Sequence, residues 1–359
     1  KDEVIDLLGV CLAARENLFI LGPPGTAKSA LVQDMARRIE GRAFDYLLPR
    51  FTEPNELFGP FDIRRLREGD LVTNTEGMLP EATFVFLDEL LNANSAILNS
   101  LLLVLNERVF RRGRETFPLP TLMVVGASNR LPEDDALGAL FDRFLLRVEC
   151  NNVGPEQLSA VLEAGWKLDH AAAQQHASIT IEDSRRLHRL LPRVDLLEVR
   201  PQYLALVQRL RHAGIGISDR RAVKLQRLVA ASALLCGRLQ AQTSDLWVLR
   251  YIWDREVQQD VLATIVQDAI NEDANALHGA SHVRARGSDA PDPGRLAHDL
   301  EQLAQKLTNS GLPAHEKTYL HDCLGVLTTR CQWVVDEQQR SFLQDKAQSL
   351  WSQLEEPAA

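Results

Sequence analysis

One octapeptide, Gly22-Pro23-Pro24-Gly25-Thr26-Ala27-Lys28-Ser29, narrows the possible folds of this chain more than any other stretch. It follows a short apolar run, Asn17-Leu18-Phe19-Ile20-Leu21, and opens a segment with Ala30, Leu31, Met35 and Ile39 at helical spacing. A strand that runs through a Gly/Pro loop into a helix is the setting of a phosphate-binding P-loop. Backbone N–H groups of such a loop converge on phosphate oxygens, and the positive helix N-terminus adds to their pull. In that setting Lys28 reaches the outer phosphates and the Ser29 hydroxyl ligates Mg2+. Ala27 stands where the strict pattern has glycine, so the backbone there must take a conformation open to a residue with a Cβ. A Gly/Pro turn beside a chance lysine is the plain alternative, and the surrounding motifs count against it.

With 359 residues the chain has room for about two or three domains. A hydrophobic fraction of 45% and a charged fraction of 25% are ordinary for a soluble globular protein. No apolar run reaches the 18 or so residues of a membrane span. The net charge of −9 argues against a general nucleic-acid binder, although a basic pore inside a ring is compatible with it. Cys11, Cys150, Cys236, Cys323 and Cys331 form no CxxC pair and no zinc spacing, and read as free thiols of a reducing cytosol, so a cytoplasmic location is expected. The numbering opens at Lys1, inside a segment that already reads as helical, so a natural N-terminus is expected to precede it.

Residues 1–151 alternate strand-like and helical segments, the mark of an α/β domain with a parallel sheet flanked by helices. Strands are expected at 82–87, 122–126 and 144–148, with a Leu/Ile-rich helix over 95–106. From 152 to 278 the strand-like runs stop, and amphipathic helices are expected near 155–164, 182–190, 201–212, 218–237, 245–255 and 256–271. This is an all-α domain. Residues 279–294 read as a mobile Gly/Pro/Ser/Asp linker. Residues 295–359 read as a helical extension, with Leu296, Leu300, Leu303 and Leu307 near heptad spacing.

Two further motifs complete a nucleotide site. Phe84-Val85-Phe86-Leu87-Asp88-Glu89 is a hydrophobic strand ending in two carboxylates. Asp88 at its tip can hold Mg2+ through water, and Glu89 can accept a hydrogen bond from an attacking water and polarise it. A strand ending in a solvated acidic turn is the alternative, and the spacing from the P-loop disfavours it. Gly126-Ala127-Ser128-Asn129 ends the next strand in a polar amide.

Together these motifs resemble the AAA+ ATPases, in which a polar residue at the position of Asn129, called sensor 1, helps place the lytic water. That resemblance implies ATP and Mg2+ as ligands. It also implies that Arg143, in Ala139-Leu140-Phe141-Asp142-Arg143-Phe144, enters the neighbouring subunit's site as an arginine finger. Gly216-Ile217-Ser218-Asp219-Arg220-Arg221 resembles sensor 2, with Arg220 the matching position and Arg221 the fallback. Ser218 is a candidate N-cap there. In AAA+ clades with an extra helix before sensor 2 that arginine also acts on the neighbour's nucleotide, and the helical stretch 155–212 is compatible with this. The resemblance thus implies a ring of identical subunits, a homo-hexamer by family expectation.

The frame Glu56-Leu57-Phe58-Gly59-Pro60, Leu79-Pro80-Glu81-Ala82 and Phe86-Leu87-Asp88-Glu89 resembles the MoxR family, and within it the RavA branch (regulatory ATPase variant A). The β-rich domain that RavA proteins carry is not apparent in the sequence. MoxR resemblance implies a partner with a von Willebrand factor A domain and a client protein that the ATPase remodels or activates. Two basic segments, Ile63–Arg67 and Arg108–Arg114, resemble pore-facing loops, or are solvated charged hairpins. A nucleic-acid motor and a nucleotide-dependent scaffold switch are the rival functions.

Overall fold

The computed structural model describes residues 1–68, 72–112, 115–132, 135–153, 155–170, 178–273, 281–286, 297, 300–301, 303–304, 320, 324, 327–328, 331 and 337–355. These divide into two compact units, Lys1–Ala285 and Arg286–Ala359.

The first unit is built on five parallel strands: β1 (Leu18–Leu21), β2 (Ala43–Leu47), β3 (Phe84–Asp88), β6 (Met123–Ser128) and β7 (Leu146–Glu149). They lie in the order β2-β3-β6-β1-β7. Fully buried runs such as Leu18–Leu21 and Met123–Ser128 are what strands covered on both faces require. β2 escapes a sequence reading because Ala-Phe-Asp-Tyr-Leu is an edge strand with an alternating exposed and buried pattern and an aspartate at its centre. Helices α1 (Asp2–Ala14), α2 (Lys28–Arg37) and α5 (Ser95–Glu107) cover the sheet, with the short α3 (Pro54–Phe58), α4 (Ile63–Arg67) and α6 (Asp135–Phe141) between strands. β4 (Val109–Arg112) and β5 (Glu115–Pro118) pair as an antiparallel hairpin, as the basic segment suggested, its turn outside the described residues. The other basic segment, α4, sits on a ladder in which Asp62 N–H donates to Val72 and Asn74 N–H to Pro60. Gly59 opens this ladder at φ 98°, where a Cβ would fall 1.8 Å from the Asn74 carbonyl oxygen, so only glycine fits.

Four helices follow: α7 (Pro155–His170), α8 (Ile181–Leu190), α9 (Arg200–His212) and α10 (Asp219–Leu235), and α11 (Gln259–Asn271) ends the series. Ser218 caps α10 by accepting the Arg221 N–H at 3.2 Å. The helix expected at 245–255 is instead a 3-10 run over Thr243–Tyr251, and every residue in it is buried. With no solvent face there is no amphipathic stripe for α-helical spacing to satisfy. Its entry is fixed by Asp245, which accepts from Gln242 N–H, Ser232 and Arg238. Within the expected linker, the described residues 281–286 contain a 3-10 turn, Val283–Arg286. Arg284 there pairs with Asp6 at 2.7 Å, and His282 stacks on Trp247 at 4.4 Å.

The second unit has its own small core of Leu300, Leu303, Leu320, Leu324, Cys331, Leu343, Ala347 and Leu350, the last three on the helix Glu337–Glu355. Leu296 and Leu307 lie outside the described residues. The chain is thus a P-loop α/β core followed by an all-helical region and a helical extension. Among the described residues no helix is long and apolar enough to cross a membrane, and Cys11, Cys150, Cys236 and Cys331 are free thiols.

Candidate functional site

Strand order decides the site. β3, β6 and β1 are adjacent and parallel, so Asp88-Glu89, Asn129 and the P-loop all leave the sheet at its carboxyl edge. Gly22 starts the loop wedged between neighbours: its N–H donates to the Ser128 carbonyl at 3.1 Å, and a Cβ on it would lie 2.4 Å from the Cys150 carbonyl oxygen. Thr26 closes the loop by donating its hydroxyl to Pro23 at 2.9 Å. Ala27 then adopts φ 67°, ψ 25°, the left-handed region. That region is open to alanine, but for an L-residue it costs roughly 1–2 kcal/mol. Lys28 is buried, its ammonium held by the Gly22 carbonyl at 2.7 Å and the Pro23 carbonyl at 2.9 Å. The cation therefore lies folded over the loop.

Ser29 donates its hydroxyl to Asp88 Oδ2 at 3.1 Å. A hydroxyl and a carboxylate at this separation, beside a phosphate loop, form the oxygen-only donor set that Mg2+ prefers. Glu89 follows in the left-handed region at φ 52°, with its N–H on Asp88 Oδ1 at 2.9 Å. Burial and then the neighbouring Asp88 raise its pKa above the ordinary glutamate value, against the opposing pull of Lys28 and Arg130. Asn129 is exposed just beyond β6, and Arg130 reaches Asn92 at 3.3 Å. Gly22 through Ser29, Asp88, Glu89 and Asn129 are thus brought together.

Arg143 and Arg220 are not with them. Asn17, at the amino end of β1, is almost fully buried and donates its amide to the carbonyls of Leu105 at 3.4 Å and Arg143 at 3.3 Å. Its oxygen accepts from Arg108 at 2.6 Å. Arg220 donates to Asn106, next to Leu105 in sequence, at 3.3 Å. Both arginines therefore lie toward the amino edge of the sheet. From Asn17 to Gly22 the strand advances roughly 16 Å at about 3.3 Å per residue. Arg143 rests on Asp142 at 2.8 Å, and Arg220 is exposed. Arg221, the fallback for sensor 2, is 4% exposed and committed inward to Asp254, Gly216 and Ile252.

The amino edge also holds residues that the sequence reading missed. Buried Glu16 pairs with Arg227 at 3.1 Å and lies 3.9 Å from Lys224, yet burial outweighs these cations and raises its pKa. Arg108, which the sequence placed in the basic segment Arg108–Arg114, is instead turned inward onto Asn17, and burial pushes it down to about 10. Glu16-Asn17 just before an apolar strand was the available signal, since polar groups buried there need partners.

The match to known families agrees with this geometry. Residues 1–189 match a family model described as the MoxR domain in the MoxR-vWA-beta-propeller ternary systems. The chain belongs to the MoxR family of AAA+ ATPases. Residues 196–266 match an AAA lid domain, so α9 and α10 belong to a MoxR lid. Among relatives, an uncharacterized protein of Methanocaldococcus jannaschii is 36% identical, over 71% of this chain and 68% of its own length. Chaperone MoxR1 of Mycobacterium tuberculosis is 23% identical, over 66% of each. The fold is also that of a crystal structure of a candidate ATPase from Cytophaga hutchinsonii, with TM-score 0.60 and 18% identity, covering 74% of this chain and 88% of that one.

Proposed function

We propose that this MoxR protein hydrolyses ATP in a ring of identical subunits, six by family expectation, and uses the cycle to remodel or activate a client protein. The observation that carries the reading is the division of its polar groups between two edges of one sheet. P-loop, Asp88, Glu89 and Asn129 share the carboxyl edge, whereas Arg143 and Arg220 share the other. A subunit's own arginines lie toward the opposite edge of the sheet from its own P-loop. A neighbour's serve it instead.

In this reading the P-loop N–H groups and Lys28 hold the phosphates, and Thr26 keeps the loop closed. Ser29 and Asp88 would hold Mg2+, which neutralises charge between the outer phosphates when bound. Glu89 accepts a hydrogen bond from the attacking water, and Asn129 fixes that water's position. Arg143 of one subunit meets the charge developing in the next subunit's site, where a planar guanidinium in a water-poor cleft counts most. Arg220 does the same from the lid. A cavity of about 330 Å3 beside Thr26, lined in part by Lys1, Val4, Cys150, Asn151 and Tyr251, is our candidate for the adenine ring of ATP.

We further propose a partner with a von Willebrand factor A domain, supported by the description of the matching family model, and a cytoplasmic location. Placement on the RavA branch rests on sequence motifs, chiefly those at 56–60 and 79–89, with the segments at 96–110 and 127–132 and the lid motif at 218–221 in agreement.

The test is ATPase rate against protein concentration, with mass by light scattering in the same samples, with and without ATP. Specific activity should climb as the assembly grows. Full activity in a steady monomer would remove the composite site.

A further inference from the structure

We infer that Asp254 is a positioning residue for the two boundary arginines, holding the Phe141–Arg143 turn and the first turn of α10 in one frame. The inference rests on the reading that Arg143 and Arg220 act on a neighbour's site, and it says what keeps them in register.

Asp254 is shared by two guanidiniums. Its Oδ1 accepts from Arg147 at 2.7 Å and from Arg221 at 3.0 Å, and Oδ2 accepts from Arg221 at 3.2 Å. Each arginine then holds main chain beside one boundary arginine. Arg147, on β7, is fully buried and donates its other terminal nitrogen to the Phe141 carbonyl at 3.2 Å, two residues before Arg143. Its guanidinium also lies over the Phe141 ring at 4.2 Å. Arg221 is the next residue after Arg220, and its side chain closes the α10 entry onto Gly216 at 3.0 Å and Ile252 at 2.5 Å. Asn17 in turn holds the Arg143 carbonyl. One carboxylate thus joins the segment carrying the finger to the segment carrying the lid arginine.

The charge balance makes Asp254 the pivot. Two buried cations share one anion, and Arg147 is already pushed down to about 9, by burial first and by Arg221 next. Without the carboxylate, two like charges would face each other out of water, and the segments they hold would separate. A displacement of about 1 Å in a catalytic group can cost on the order of a hundredfold in rate. A latch that merely held lid to core would damage the subunit's own nucleotide site instead. Positioning spares that site and damages the neighbour's.

The experiment uses full-length protein and mixed rings verified by native mass spectrometry. Homogeneous Asp254→Asn rings should turn over about tenfold to a hundredfold slower than wild type, with KM for ATP little changed. Asp254→Glu should recover part of the loss. Mixed with Lys28→Ala subunits, which keep intact arginines, Asp254→Asn subunits should give a rate well above the mean of the two parents. Arg143→Ala mixed with Lys28→Ala is the control for the boundary reading itself. Recovery in the control without recovery for Asp254→Asn overturns the inference alone. No recovery in either mixture overturns the boundary reading and the inference with it. Should Asp254→Asn fail to fold, Arg221→Gln leaves a balanced Arg147–Asp254 pair. It should show a smaller loss with the same recovery on mixing, and its failure to recover beside a working control overturns the proposal equally.

Discussion

The two edges of the parallel sheet use the same backbone device for different ends. Four non-glycine residues among those described have positive φ: Ala27 and Glu89 at the carboxyl edge, Arg15 and Arg108 toward the amino edge. Arg15 and Arg108 end helices α1 and α5, and their N–H groups satisfy carbonyls of the last turn. Those two are ordinary helix stops. Ala27 and Glu89 instead sit at the P-loop and at the carboxylate pair, where backbone strain of this kind tends to gather. The side chains differ in the same sense. At the carboxyl edge Lys28 and Ser29 rest on partners that, in the proposed cycle, they would leave to meet the nucleotide and its metal. Toward the amino edge Asn17, Arg108 and Glu16 are bound into the fold, and Arg147, Arg221 and Asp254 are locked together beneath the finger turn and the lid entry. In the proposed function one edge receives charge, and the other holds charge still.

The sharpest way to break this contrast is at Lys28 and Glu89. Lys28→Ala should weaken ATP binding at least about a hundredfold, roughly 2.7 kcal/mol, and leave the unfolding midpoint nearly unchanged. Glu89→Gln should keep the affinity and lose about a hundredfold or more in turnover. Equilibrium binding of a fluorescent ATP analogue and a steady-state ATPase assay separate the two. Equal turnover in Glu89→Gln and wild type would remove Glu89 from the chemistry.

Beneath the finger turn and the lid entry the larger effect should be on stability, and it should depend on which partner is removed. Asp254→Ala strands two buried guanidiniums. Breaking a buried pair costs about 3–5 kcal/mol, and the carboxylate is 34% exposed, so a loss nearer 2 kcal/mol is expected. Arg147→Met leaves Asp254 paired with Arg221 and keeps an apolar stem against Phe141, so it should cost less than half as much. Denaturant unfolding of the two variants side by side checks the order. The reverse order would mean that the Phe141 and Trp253 carbonyls, not the charge balance, carry the energy.

The carboxyl edge was legible in the sequence because its chemistry is written in consecutive residues. Gly22–Ser29, Asp88-Glu89 and Asn129 each close a strand with a strong apolar signal, and parallel pairing brings strand ends together. The lid cap Ser218 was legible for the same reason, since capping is local. What escaped is long-range. Arg147 and Asp254 are 107 residues apart, and each alone reads as a solvated charge. A helix start also does not reveal that it is Arg221, and not Arg220, whose side chain turns inward to Asp254. The 3-10 run Thr243–Tyr251 escaped because complete burial erases the periodicity that distinguishes one helix type from another.

The smallest expected effects test the backbone comparison itself. Arg15→Gly and Ala27→Gly each remove a Cβ from the left-handed region, a relief of roughly 1 kcal/mol, partly offset by the greater freedom of glycine in the unfolded chain. Arg15 is exposed and only ends a helix, so its glycine variant should gain a few tenths of a kcal/mol and keep wild-type ATPase kinetics. Arg108→Gly should lose stability despite the same relief, because its guanidinium bonds Asn17. Ala27→Gly is the informative one. If the strain at Ala27 only shapes the loop, the variant gains stability and KM for ATP stays put. If the methyl group stiffens the loop before phosphate arrives, the same stability gain comes with a raised KM, since a looser loop must be ordered on binding. Thermal unfolding and ATPase titration of the three variants distinguish a helix stop from a binding device built on the same φ.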